Sequence, residues 1–289
     1  MIIGTSHFAL ATADISSAVR FFLSLGYAPK FEEDQLHNHP EKRVWLRAYQ
    51  PTHHVVMMKK NGFQSIELLQ HGDYREASRT TAAPVGRCIP VFQIGLGSQG
   101  FEIIGLDEAF PPNPTLVSLL PFSVKTLGRL EALFGGELHI VRAGPDGVLG
   151  LARIGSDSEL GIVSTIIPVK DVPAYKRFLV KLRFRPGTDM SDLDGEPQRF
   201  RHVTPFPELN SEIIVVASDW SASDLAVKLD NSGINCIAVV RRGASETLNE
   251  SEIPVVRMTE PFSLKVNNKN MDITLAEFSD GPVWEFLTL

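Results

Sequence analysis

Three titratable residues stand in apolar runs where an ionisable group needs a reason to be. His7 lies in IIGTSHFALA, Glu67 in SIELLQ and Glu285 in VWEFLTL. An unpaired carboxylate taken out of water is costly, so Glu67 and Glu285 either face a ligand or sit at a partly exposed sheet edge. His7 has the same two readings, a ligand or substrate contact or a hydrogen-bonded structural histidine. Further imidazoles come from His37 and His39 and from the pair His53-His54. Histidines two apart on a strand share a face, but Pro40 and the polar surroundings of His37 and His39 favour a loop. These histidines are expected to be exposed or cleft-lining rather than a second metal site, with His54 the one that faces a ligand.

Other motifs are weaker. GLGSQG at 95–100 satisfies G-x-G-x-x-G after a strand, but a dinucleotide fingerprint needs a full helix and an acidic residue about twenty positions on. FEIIGLDEAFPPNP follows instead, so a glycine-rich turn or bulge is expected and no dinucleotide cofactor. No GxSxG, P-loop, HExxH or CxxC occurs. Trp45, Tyr49, Phe206 and Trp220 are candidates for lining a cleft, with core packing as their default.

The 289 residues exceed the usual single-domain length and predict two halves, each able to bury a core of its own. A hydrophobic content of 43% with 21% charged residues describes a globular chain, neither disordered nor fibrous. A net charge of -6 offers no broad basic field, which argues against nucleic acid as a partner. Cys88 and Cys236 are far apart and read as buried free thiols, not as a disulfide or a thiolate zinc site. With no secretory pattern at the N-terminus and no run of eighteen apolar residues, no membrane association and a reduced cytoplasmic setting are expected.

The elements that must position these residues are partly legible. The apolar run Ile3 to Ala11 leads into a helical period through Ile15, Ala18, Val19, Phe22 and Leu25, with Asp14 as N-cap and Gly26 as the left-handed terminator. The pattern returns without a gap in IVSTIIPVKDVPAYKRFLVKLRFRP, which places Asp171 on Asp14, Phe178 on Phe21, Leu182 on Leu25 and Ser164 on His7. This is an internal repeat. A weaker pair, residues 123–136 and 221–233, each opens a short helix with serine and closes it with glycine. Strands are expected at 116–121, 213–218, LHIVRA, NCIAVV, RVWLRAY, HVVMMKK, QSIELLQ, VFQIGLG, GVLGLARIG, RFRHVT, FSLKVN, MDITLAEF and VWEFLTL. Loops are expected near 71–88, 107–114, 186–198 and 241–254. Several strands follow each helix, so the class is α+β and not a doubly wound parallel sheet.

An Asp-capped helix after a first strand, the FFLSLGY stretch, Ile66-Glu67-Leu68 and the closing FSDGPVWEFLTL together resemble the vicinal oxygen chelate superfamily, the glyoxalase, bleomycin-resistance and extradiol-dioxygenase group. The resemblance implies tandem βαβββ modules forming two cupped mixed β-sheets with flanking helices. It divides the chain into an N-terminal half, 1–157, with one clear and one degenerate module, and a C-terminal half, 158–289. It is strong at residues 1–70, 160–186 and 275–289 and loose at 88–156. It further implies that His7, Glu67 and Glu285 are metal ligands for Fe, Mn, Ni or Zn and that Glu67 and Glu285 serve catalysis; His54 as a substrate contact rests on the reading of the histidine pairs alone. The three ligands meet only if the first and last modules pair.

Ser164 stands where a second histidine would be, so at most one such site is expected. His202 is the only histidine after residue 139, which speaks against the familiar iron dioxygenase with two histidines in its C-terminal half. The leading expectation is a metal-dependent lyase, isomerase or oxygenase acting on a small molecule with vicinal oxygens, with a homodimer as a compatible assembly. The alternative is a metal-free protein of the bleomycin-resistance type that sequesters an apolar or aromatic small molecule. A degenerate scaffold serving protein association is the third.

Overall fold

The computed structural model describes residues 1–72, 88–95, 97–104, 120–155, 160–187, 196–218, 228–243, 255–266, 269–278 and 281–289. The first module runs β1 (Ile2–Ala11), α1 (Ile15–Ser24), β2 (Ala28–His37), β3 (Thr52–Lys59) and β4 (Ile66–Gln70). The second holds β5 (Ile89–Ile94), β6 (Phe101–Ile104), α2 (Val124–Phe134), β7 (His139–Ala143) and β8 (Val148–Ile154). The third holds β9 (Gly161–Val169), α3 (Val172–Lys181), β10 (Arg185–Pro186), β11 (Gln198–His202) and β12 (Ser211–Ala217). The fourth holds β13 (Gly233–Arg241), β14 (Val255–Met258), β15 (Phe262–Val266), β16 (Lys269–Phe278) and β17 (Val283–Thr288).

The caps explain where the helices of the first and third modules start. The Asp14 carboxylate accepts the Ser17 amide at 3.0 Å and Asp171 accepts the Ala174 amide at 2.8 Å, each satisfying a donor that the first turn leaves open. The ends repeat too. Gly26 takes φ +82°, and Arg183, 157 positions on, takes φ +67° although it is not glycine. The same left-handed turn stands at both positions, although only Gly26 is the residue best suited to it.

The modules pair in an order that crosses the chain. The first and fourth form one mixed sheet in the order β14-β16-β17-β13-β1-β4-β3-β2, with β15 also on β16; the second and third form another, β10-β11-β12-β9-β5-β8-β7-β6. Antiparallel contacts of β1 with β13 and of β5 with β9 join the modules at each centre. The expectation of a separate core for each half therefore does not hold. Phe8, Phe22, Phe178 and Trp284 share one cluster with Phe92 and Ile213 of the other sheet, so α1 and α3 lie in a core common to all four modules. Residues 156–159, at the expected boundary, lie outside the described residues.

Other expectations change locally. RVWLRAY is not a strand: residues Pro40–Trp45 form a 3-10 helix, opened by Pro40 and capped by His39. Its closing residue, Trp45, is buried against the sheet with Ala9 and Cys236. The strands β2, β10 and β14 carry mostly exposed, polar or short sequences, which hides their period. The glycine-rich stretch 95–100 is followed by the strand β6, so no helix offers a dinucleotide its N-terminus. The stretches 107–114 and 221–227 lie outside the described residues, as do most of the expected loops at 71–88 and 241–254 and of the strand at 116–121.

Candidate metal centre

Strand alternation sorts the side chains of the first sheet into two faces. On β1, Phe8 and Leu10 enter the helix-covered core, so His7 and Ala9 point to the opposite, concave face. On β4, Ile66 and Leu68 are core and Glu67 faces the concavity; on β17, Trp284 and Phe286 are core and Glu285 does so. Register then brings the three together. Ala9 pairs with Glu67, His7 with Ala238, and Ala238 with Glu285.

His7 Nε2 lies 3.3 Å from Glu67 Oε2 and 3.8 Å from Glu285 Oε2, and one ligand atom from each residue lies within 4.8 Å of the others. His7 is 4% exposed and Glu285 7%. Despite this proximity, His7 Nε2 makes no aligned hydrogen bond, while Nδ1 is 3.0 Å from Ser6 Oγ. Ser6 thus fixes one ring nitrogen and leaves the other aimed between two carboxylates. Burial pulls the His7 pKa down, but the charges of Glu67 and Glu285 outweigh it and lift it to about 9. Burial raises the Glu285 carboxyl, but the neighbouring protonated His7 and the charge of Lys42 bring it below its ordinary value. At neutral pH a proton on His7 therefore supplies positive charge to a slot that two carboxylates make negative. An orphaned imidazole nitrogen between two carboxylates is a donor set that suits a divalent cation equally well.

The triad faces a cavity of about 570 Å³ that combines apolar walls with several lysines. His53 lines it and His54 does not. His54 shares its strand face with Val56 and Met58, which pack under α1, and its Nε2 lies 2.9 Å from Glu32. On β3 the odd-numbered residues His53, Met57 and Lys59 face this cavity, and His54, expected to meet a ligand, lies on the other face of the strand. His39 caps the 3-10 helix and stacks on Phe262 with ring centroids 4.2 Å apart. Trp45, Tyr49 and Phe206 are not in the cavity lining, whereas Phe31 and Phe63 are; Trp220 lies outside the described residues.

The second sheet explains why one such centre exists among the described residues. By the repeat and the registers, the positions of His7, Glu67 and their counterparts become Ser164, Ile214, Ile89 and Leu151. The last three pack against Leu127, Leu130 and Phe134 of α2, which occupies the cup. One lining residue escapes sequence reasoning: Lys42, in the 3-10 helix just before the stretch expected as a strand.

Paired modules of this order around cupped sheets define a glyoxalase-like fold. No family model matches the sequence, and no curated protein matches it. Among solved structures the chain is similar to glyoxalase I from Zea mays, at 12% identity over 99% of this chain and 92% of that one, with a TM-score of 0.57. Two single-residue variants of that enzyme match at 12% identity over 99% of this chain and 92% and 93% of theirs, with TM-scores of 0.54 and 0.53. The likeness is one of fold. No helix among the described residues is long and apolar enough to cross a membrane.

Proposed function

We propose that this protein is a metal-dependent enzyme of the glyoxalase-like class, a lyase, isomerase or oxygenase, acting on a small molecule with vicinal oxygens. The observation that carries this reading is the convergence of His7, Glu67 and Glu285 on one buried point at the floor of the cavity. His7 would bind through Nε2, held in orientation by Ser6, and the two carboxylates would bind through one oxygen each. A divalent ion of the Mn, Fe, Ni or Zn type, when bound, supplies Lewis acidity toward two adjacent substrate oxygens.

The chain's own groups do the rest. Glu67, with a side chain 15% exposed against 10% for Glu285, is the carboxylate we assign to moving a proton at the substrate carbon. Glu285 stays a charged ligand, because the Lys42 charge favours its ionised form. Apolar walls from Leu36, Met57, Leu264, Ile273 and Leu287 exclude water from the reacting oxygens and strengthen the electrostatics. Elemental analysis of protein purified without chelator tests this reading. About one divalent ion per chain is expected, lost in His7→Ala; a metal-free preparation that still binds ligand equally with and without EDTA would favour simple sequestration instead.

A further inference from the structure

We infer that the molecule taken by this cleft carries one anionic group, a carboxylate next to a second oxygen, on an apolar or aromatic body, and that Lys42 selects it. The inference rests on the metal-site reading and adds the substrate class. Charge counting is the first argument. A divalent ion balances Glu67 and Glu285 with His7 neutral, which leaves the floor without net charge. Lys42 then contributes an uncompensated positive charge to the same cavity.

The other charged groups of the lining do not cancel it. Lys60 is committed, its Nζ donating to Leu25 O at 2.7 Å and Leu160 O at 2.6 Å. Lys30 and Glu208 are exposed, and Lys59 is half-buried near the end of β3. Lys42 makes no ion pair or side-chain hydrogen bond with any described residue, yet its charge is felt by Glu285, His53 and His71. A half-buried ammonium without a partner, facing a cavity, is a vacancy for an anion.

Its position is fixed rather than loose. The 3-10 helix that carries it is anchored by Trp45, whose Nε1 donates to Glu277 at 2.9 Å, and by Lys228, whose Nζ donates to Val44 O at 2.9 Å. The opposite walls are aliphatic, and the volume falls within the roughly 300–1,000 Å³ typical of small-molecule sites. A 2-hydroxy or 2-oxo carboxylate with a hydrophobic tail meets all three demands: two adjacent oxygens, one negative charge and an apolar body.

Calorimetric titration of the Mn²⁺-loaded protein with 2-hydroxy-4-phenylbutanoate and with its amide, the same shape without the charge, tests the inference. The acid should bind about tenfold or more tightly than the amide. Lys42→Met should remove that preference and Lys42→Arg should keep most of it, with melting temperature and Mn²⁺ stoichiometry checking that each variant is folded and loaded. Equal affinities in the wild type, no binding of either compound at millimolar concentration, or a preference that survives in Lys42→Met would overturn it. A protein that takes up no Mn²⁺ would instead refute the metal-site reading, and this inference with it.

Discussion

His7 and Cys236 occupy equivalent places on the two central strands of the open sheet. His7 pairs with Ala238 and Ala9 with Cys236, while Ala9 sits beside Glu67 and Ala238 beside Glu285. A two-fold relation between the first and fourth modules therefore exchanges His7 with Cys236 and Glu67 with Glu285. Three of the four symmetric positions carry ligand-type side chains whose donor atoms converge, and the Cys236 sulfur is outside that group.

It follows that Cys236 packs and does not ligate. Cys236→Ala should keep one bound ion with affinity changed less than about threefold, since an unmade ligand bond has nothing to lose. A Co²⁺-substituted protein should show no thiolate charge-transfer absorption; its appearance, and its loss in Cys236→Ala, would contradict this.

The second cup should respond as a core and nothing else. Leu130 is fully buried between α2 and the strands that carry Ile89, Leu151 and Ile214. Leu130→Ala is expected to cost ~2–5 kcal/mol in denaturant unfolding. Metal content should stay unchanged, because the triad lies on the other sheet.

Arg183 holds a left-handed backbone where the repeat has Gly26. It is exposed and follows the end of α3. Arg183→Gly should therefore raise stability by ~0.5–1 kcal/mol, the steric relief exceeding the added chain entropy of glycine. Equilibrium urea unfolding measures it.

Acid should weaken the fold through two buried imidazoles. Burial lowers His202 and His71 from 6.5 to about 4, so the folded protein holds them neutral while the unfolded chain protonates them. The stability they permit is present above pH 6.5 and is lost as pH falls toward 4, up to roughly 3 kcal/mol each. His202→Gln and His71→Gln should each flatten the fall in unfolding free energy between pH 7 and 4.5; an unchanged slope in both would exclude this account.

Much of the fold was legible because the repeat carries its own punctuation. Asp14 and Asp171 cap matching helices, and the aromatic and leucine positions between them must face the same core. His7, Glu67 and Glu285 stood out for a physical reason as well, being titratable groups among apolar neighbours. What eluded the sequence depends on pairing between distant segments. The face that His53 presents follows from the register of β3, the role of Trp45 in turning residues 40–45 inward requires the sheet beneath it, and the meeting of Glu67 with Glu285 requires β1 to lie against β13. Polar edge strands such as β2 carry no period to detect.

The central claim is that a single ion site is shared between the first and last modules. Titration of metal-stripped protein with Mn²⁺, followed by the loss of the free-ion electron paramagnetic resonance signal, tests it most directly. The wild type should bind one equivalent tightly, and Glu285→Gln should weaken that binding as severely as His7→Ala, although the two lie 278 positions apart. Two tight equivalents, none, or a Glu285→Gln protein that binds like the wild type would contradict the account.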